Sequence, residues 1–80
     1  MKIGDKAVGF RFDGFNNSAN MNYNTDMNEY IDIEGTIVNI SEYHFDIDFF
    51  IIDDYKISWS YPIKEYLSVL RDMKLKELGI

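Results

Sequence analysis

The fold is decided by residues 44–62, HFDIDFFIIDDYKISWSYP. Apolar and polar residues alternate in its first half, so Phe45, Ile47 and Phe49 point to one side of a strand and the polar residues between them to the other. Two consecutive acids then favour a turn, and residues 56–61 alternate again as a returning strand. The stretch therefore predicts a β-hairpin with an apolar inner face and a charged outer face.

Two further strands are predicted before this hairpin. Residues 2–12 show a period of two, with Val8, Phe10 and Phe12 on one face. Residues 30–40 are rich in β-branched side chains, which pack well on a pleated surface. Together with the hairpin they predict a mainly β domain.

A helix is predicted after the last strand. Pro62 has no N–H to donate to a sheet and suits the first turn of a helix. Apolar residues then recur with helical spacing at Ile63, Tyr66, Leu67, Leu70 and Met73. We expect one amphipathic helix over about 62–78 that packs on the sheet, with Ser60 or Tyr61 as its N-cap and Gly79 as its C-cap.

Length and composition limit the function classes. The chain has 80 residues and a net charge of −6, so we expect a single domain over residues 1–80, with the β part at about 2–61. It has no Cys and one His, which leaves most catalytic and metal-binding constellations without their parts, so we predict no enzyme activity and no cofactor. No apolar run suits a membrane span, and a charged N-terminus does not suit a signal peptide, so we expect a cytoplasmic location.

Three segments, taken in order, resemble SH3-like barrels. Residues 2–8, KIGDKAV, look like the opening strand of such barrels, and residues 30–38, YIDIEGTIV, resemble their G-x-x-G-x-V segment, as in KOW and Mind-bomb-type modules. Residues 59–62, WSYP, resemble the closing strand of small phage and bacterial proteins of this shape. Asp32 stands where the first Gly of the second segment is expected. The resemblance implies a small antiparallel barrel that acts as a binding module.

Charge is distributed unevenly along the chain. Residues 12–55 contain no Lys or Arg but ten Asp and Glu. This pattern is typical either of a solvated face that maintains solubility or of a surface that attracts a basic partner. For the second case the predicted contact residues are Glu42, His44, Asp46, Asp48, Asp53 and Asp54. The same pattern disfavours direct nucleic-acid binding, because that affinity comes largely from Lys and Arg.

A long loop is predicted over residues 13–29, where six of seventeen residues are Asn. Asn favours turns, and loops of this length in small domains are often functional. The loop is either a solvated insertion or a binding loop. In the second case the predicted contact residues are Asn16, Asn20, Asn22, Tyr23 and Asp26 of the loop, with Tyr43 beside it.

These observations predict a non-enzymatic protein-binding module. Abundant Ile, Asn, Asp and Tyr are typical of AT-rich genomes, so we expect a phage-type accessory or counter-defence protein whose acidic face inhibits a host protein. One alternative is an oligomer that sequesters a small ligand such as a nucleotide signal. Another is a virion structural or assembly component, and self-association remains open in each case.

Overall fold

The chain forms one antiparallel sheet followed by a helix. The computed structural model describes residues 1–51 and 55–77. The predicted turn at Asp53 and Asp54 and the predicted C-cap at Gly79 lie outside these described residues. The elements, in chain order, are β1 Lys6–Val8, a 3-10 helix Thr25–Tyr30, β2 Glu34–Ile40, β3 His44–Ile51, β4 Tyr55–Pro62 and α1 Ile63–Glu77.

The four strands lie in the order β1-β2-β3-β4, and each pairs antiparallel with the next. The register of β2 against β3 shifts between Ile37 and Asn39, where a bulge interrupts the ladder. Within the described residues β1 and β4 each pair with one strand only, so the sheet is open at both edges. The predicted mainly β fold with one helix near the C-terminus is confirmed, whereas closure into a barrel is not.

The hairpin of β3 and β4 has the predicted faces. Phe45 lies opposite Tyr61, and Ile47 lies opposite Trp59, all on the inner face. Phe45, Ile47 and Phe49 have no exposed surface. The prediction succeeds here because side-chain alternation is a local property of an extended chain and needs no knowledge of distant contacts.

The predicted strand over residues 2–12 is wrong in length and phase. Strand β1 comprises only Lys6–Val8, and Ala7 lies opposite Gly35 on the buried face. Val8 therefore points to the outer face of the sheet, although the alternation predicted it on the same side as the two phenylalanines that follow.

The phase changes at Gly9. Its N–H donates to the Ile33 carbonyl and its own carbonyl accepts from the Asp32 N–H, so the backbone leaves the ladder of β1 and β2. A Cβ on Gly9 would collide with the backbone carbonyl of Tyr30, which is why the chain needs glycine at this close approach. After this step Phe10 and Phe12 both turn into the core.

The sequence predicts that the second strand begins at residue 30, but strand β2 begins at Glu34. Tyr30 belongs to the 3-10 helix, and Asp32 has a φ of 66°, in the left-handed region that no strand residue adopts. The β-branched composition of this segment could not show that a turn precedes the strand.

The core is aromatic and centres on Tyr61. The ring centroid of Tyr61 lies 5.0 Å from that of Phe10, 6.0 Å from Phe45 and 6.1 Å from Phe12. Tyr66 of α1 completes the cluster at 4.9 Å from Phe45. Aromatic pairs at these distances add to the free energy of burial, so the inner face of the sheet is the structural centre of the molecule.

Helix α1 begins one residue later than predicted. It packs against the core over a shorter length than the predicted apolar face. Strand β4 continues through Pro62, so neither Ser60 nor Tyr61 is the N-cap. Among the helix side chains that the structure describes, Ile63, Tyr66 and Val69 belong to the core or pack against it. The rest of the predicted apolar face is exposed, and no helix in the described residues has the length and apolar character needed to cross a membrane.

Candidate functional site

The outer face of the sheet is polar and faces solvent. The register aligns side chains in rows across the strands, and one row runs from Lys6 through Thr36 and Asp48 to Ser58. On a neighbouring row Asp46 lies opposite Ser60. We call Asp46, Asp48 and the side chains that contact them the acidic face.

The two carboxylates of the acidic face are held in place by neutral donors. The Ser58 hydroxyl donates to Asp48 Oδ1, and the Ser60 hydroxyl donates to Asp46 Oδ1. Asn39 Nδ2 donates to the other oxygen of Asp46 at 3.3 Å. Both aspartates are half-buried. Because these donors carry no charge, the contacts orient the carboxylates without compensating their negative charge.

The lysines on this side of the sheet also contact neutral groups. Lys6 Nζ donates to Thr36 Oγ1 at 3.0 Å. Lys56 Nζ lies 5.4 Å from the ring centroid of Phe50, a cation–π distance, and Phe50 itself is 72% exposed. The outer face thus combines Asp46 and Asp48 with two lysines, whose contacts are to Thr36 and to Phe50, and with the exposed ring of Phe50.

The other predicted acidic residues continue from one end of β3. His44 is half-buried at the start of β3, and Glu42 and Tyr43 are exposed in the turn that joins β2 to β3. A backbone bond from the Ser41 N–H to the His44 carbonyl closes this turn at 2.8 Å. Glu42, His44, Asp46 and Asp48 therefore follow one another from the turn before β3 along that strand, while Asp53 and Asp54 lie outside the described residues.

The Asn-rich loop is organised by its own side chains. Asn17 Oδ1 accepts from the N–H groups of Ala19 and Met21, and Asn17 Nδ2 donates to the Asp13 carbonyl at 2.7 Å. The Asp13 carboxylate in turn accepts from the Asn16 N–H. Asn and Asp side chains of the loop thus form hydrogen bonds with the loop's own backbone. This is a common role of these residue types in turns.

The loop and the acidic face lie on opposite sides of the sheet. Tyr23 packs edge-on against Phe12, with ring centroids 5.0 Å apart, and Phe12 belongs to the inner core. The Tyr23 hydroxyl donates to Asn28 Oδ1 at 2.6 Å. The remaining predicted loop residues are exposed: Asn16, Asn20, Asn22 and Asp26. The loop therefore lies on the other side of the sheet from Asp46 and Asp48, and the two predicted contact sets meet only near the turn that carries Glu42 and Tyr43.

A groove forms where the loop, the turn before β3 and α1 meet. The loop is tied to the helix by Ser18, whose N–H and hydroxyl donate to Glu65 at 3.0 and 2.7 Å. The groove next to this tie is lined by Ser18, Glu42, Tyr43, Ile63, Lys64 and Leu67. Glu42 and Tyr43 were predicted as contact residues, whereas Ile63 and Leu67 were assigned to the core because their helical spacing does not show which apolar residues are covered.

The titration of Glu65 reflects its tie to the loop. Burial by itself would raise the pKa of Glu65, but the hydrogen bonds from Ser18 outweigh it and leave the pKa below its ordinary value. The charged form of Glu65 is therefore the one that holds the loop on α1.

Two phenols, those of Tyr61 and Tyr66, belong to the core. Burial raises the pKa of Tyr61 and, to a lesser extent, that of Tyr66, so both stay neutral. Tyr61 Oη has no hydrogen-bond partner among the described residues. In residues 1–51 and 55–77 no group of three or more His, Asp or Glu side chains is placed to hold a metal ion.

Comparison of the chain with protein-family models, with curated proteins and with solved structures found no match.

Proposed function

We propose that this chain is a non-enzymatic protein-binding module whose acidic face engages a basic surface of a partner protein. The observation that supports the proposal is the pair of half-buried carboxylates, Asp46 and Asp48, which neutral donors hold on the outer, solvent-facing side of the sheet.

Fixed carboxylates favour binding for two reasons. A side chain that is already held in one orientation loses less conformational entropy when a partner binds. A negative charge left uncompensated steers a positively charged partner and speeds its association, with a strong dependence on salt. An acid in a flexible solvated face would have the second property but not the first.

The finer identity of the module is part of the proposal. We assign the sheet to the SH3-like class because of the three segments that resemble it and because its strands follow in the meander order β1-β2-β3-β4. We propose phage origin, cytoplasmic action and inhibition of a host protein from the sequence alone. Sequestration of a nucleotide signal and a virion role stay predictions.

The test uses a matched pair of double variants. Asp46→Asn with Asp48→Asn removes two charges from the acidic face and keeps acceptor oxygens for the serines. Glu29→Gln with Asp32→Asn removes two charges from exposed residues of the 3-10 helix and the turn after it, and leaves the same net charge. Each isotope-labelled protein is titrated with an oligo-arginine peptide and followed by NMR amide shifts.

We expect the shifts of the wild-type chain to concentrate on β3 and β4. Loss of two charge pairs of about 0.5–1 kcal/mol each should weaken binding about 5- to 30-fold for the acidic-face variant. The variant with Glu29→Gln and Asp32→Asn should bind like the wild type. Equal weakening by both variants, with shifts spread over all acids, would show general charge attraction and refute the proposal.

A further inference from the structure

Strand β4 has backbone groups that point away from the sheet. The Ile63 N–H donates to the Tyr43 carbonyl at 3.0 Å, which fixes the phase of hydrogen bonding between β3 and β4. Bonded residues alternate in an antiparallel pair, so the N–H and carbonyl groups of Lys56, Ser58 and Ser60 point away from β3. Within residues 1–51 and 55–77 no further strand pairs with this side of β4. We call it the β4 edge.

At the other edge of the sheet, α1 supplies a partner. The Val8 N–H of β1 donates to the Tyr66 hydroxyl, so the helix covers the strand there. A row of backbone groups without partners is a template on which another chain can pair. Since α1 lies against β1, the β4 edge is the place where the described part of the sheet can gain a strand.

A second copy of β4 fits the β4 edge. The antiparallel register that pairs Lys56, Ser58 and Ser60 only with one another places Ser58 opposite its own symmetry mate and Lys56 opposite Ser60 of the second copy. Each of these residues then donates one backbone hydrogen bond and accepts one. A shift toward the other end of β4 would bring in Pro62, which has no N–H to donate.

Charge favours the same register. Asp46 lies opposite Ser60 on the outer face, so Lys56 of one copy would lie two inter-strand spacings, about 10 Å, from Asp46 of the other. An extended lysine and an aspartate close that distance over the small serine side chain, and the two-fold axis forms the pair twice. The two Asp48 side chains would be about 14 Å apart, beyond the Debye length of about 8 Å.

The side chains favour a second copy over an unrelated strand. A lysine on a sheet edge ordinarily opposes pairing, but here a carboxylate of the other copy compensates its charge. On the inner face Ile57 would come opposite Trp59 of the second copy, and both side chains are only half-buried in one copy. An unrelated strand would supply the backbone bonds without these two matches.

We infer that two copies of this chain pair through the β4 edge and form one continuous antiparallel sheet. The two acidic faces then lie side by side on the same surface, with both Asp48 carboxylates still on its outer side. The inference does not rest on the proposed function, and its test contains no peptide, so either can fail without the other.

The oligomeric state is measured by analytical ultracentrifugation of the full chain over a series of concentrations. We expect a reversible dimer. Ser58→Pro removes one outward N–H from each copy and should raise the Kd of the dimer at least about tenfold. Ser58→Ala is the matched control, because it also loses the hydroxyl that donates to Asp48 but keeps the N–H. It should dimerise like the wild type.

An exchange of charges tests the register. Lys56→Glu should raise the Kd at least about tenfold, because it brings a second negative charge toward Asp46. Asp46→Lys combined with Lys56→Glu should restore pairing. Amide hydrogen exchange of the wild type is a further readout: the Ser58 N–H should be protected in the dimer and lose protection on dilution, whereas the Trp59 N–H, which faces β3, should stay protected.

A chain that stays monomeric at every concentration would overturn the inference. So would a dimer that persists in both Ser58→Pro and Lys56→Glu, because another surface would then form the contact. Rapid exchange of the Ser58 N–H in the dimer would overturn it as well, since the β4 edge would still face water.

Discussion

Replacement of Tyr61 by Phe should leave this protein as stable as the wild type or make it more stable. The Tyr61 side chain has no exposed surface, and its hydroxyl has no hydrogen-bond partner among the described residues. A buried polar group without a partner costs about 1–3 kcal/mol relative to a bonded one. The ring contacts, such as that with Phe10 at 5.0 Å, are kept in the variant.

The expected gain in stability follows from the cost of this unbonded hydroxyl. If the variant recovers about 1 kcal/mol, a domain of this length should melt about 4–8 °C higher. Tyr23→Phe is the matched control, because it removes the same atom from a hydroxyl that donates to Asn28 at 2.6 Å. That variant should lose about 0.5–1.5 kcal/mol, the net contribution of one hydrogen bond. Both are measured by urea denaturation and thermal melting at pH 7.

Alkaline pH gives an independent readout on the same atom. Burial, with smaller contributions from Tyr23 and Tyr30, raises the pKa of Tyr61 above its ordinary value of 10.0. A raised pKa in the folded state means that the stability is fully present below pH 10 and is lost as the pH rises toward the pKa of the folded phenol. The loss is about 1.4 kcal/mol per pH unit. Tyr61→Phe has no phenol that can ionise at this position, so it should unfold at a higher pH than the wild type.

The reasoning is refuted if Tyr61→Phe loses more than about 1 kcal/mol at pH 7 while Tyr23→Phe loses none. In that case the Tyr61 hydroxyl has a partner in solution. An unchanged alkaline midpoint would contradict the burial of the phenol.

Three further predictions follow from the packing and the loop. Gly35→Ala should lose about 1–3 kcal/mol or more in urea denaturation, because a Cβ there would lie 2.5 Å from the Asp48 carbonyl oxygen; wild-type stability would contradict that close approach. The Ser18 amide shift should titrate with a midpoint below 4.5, because the pKa of Glu65 is lowered and the tie is lost only as the pH falls through that folded pKa; a midpoint at or above 4.5 would show that the tie is absent. Trp59→Ala should lose about 3 kcal/mol in thermal melting, since Trp59 is half-buried against the core; a variant that melts like the wild type would place it at the surface.

The hairpin was predictable because its signal is local. Alternation in residues 44–49 alone assigns Phe45 to the core and Asp46 to the outer face, and the register of β3 and β4 agrees with it residue by residue. The length of β1 was not predictable, because it depends on the Tyr30 carbonyl that approaches Gly9 from a segment about twenty residues away.

The candidate site was predictable in its charge but not in its geometry. Ten acids without a base indicate an acidic surface whatever the fold, and alternation in β3 assigns Asp46 and Asp48 to its outer face from the sequence. Their serine partners were not, because Ser58 and Ser60 reach them only through the register of a neighbouring strand. The groove beside Tyr43 was not predictable either, since it joins three segments that are distant in the chain.

The sequence by itself determined the class of the fold, the inner and outer faces of the hairpin, the position of α1 and the sign of the surface charge, because each depends on residue type and on short-range periodicity. Only the tertiary structure decided that the Asn-rich loop and the acidic face lie on opposite sides of the sheet. It also decided that α1 packs through Ile63, Tyr66 and Val69 while Leu67, Leu70 and Met73 stay exposed. The physical reason is that helical spacing shows which residues can share a face, whereas the angle at which a helix leaves a sheet decides which of them are covered.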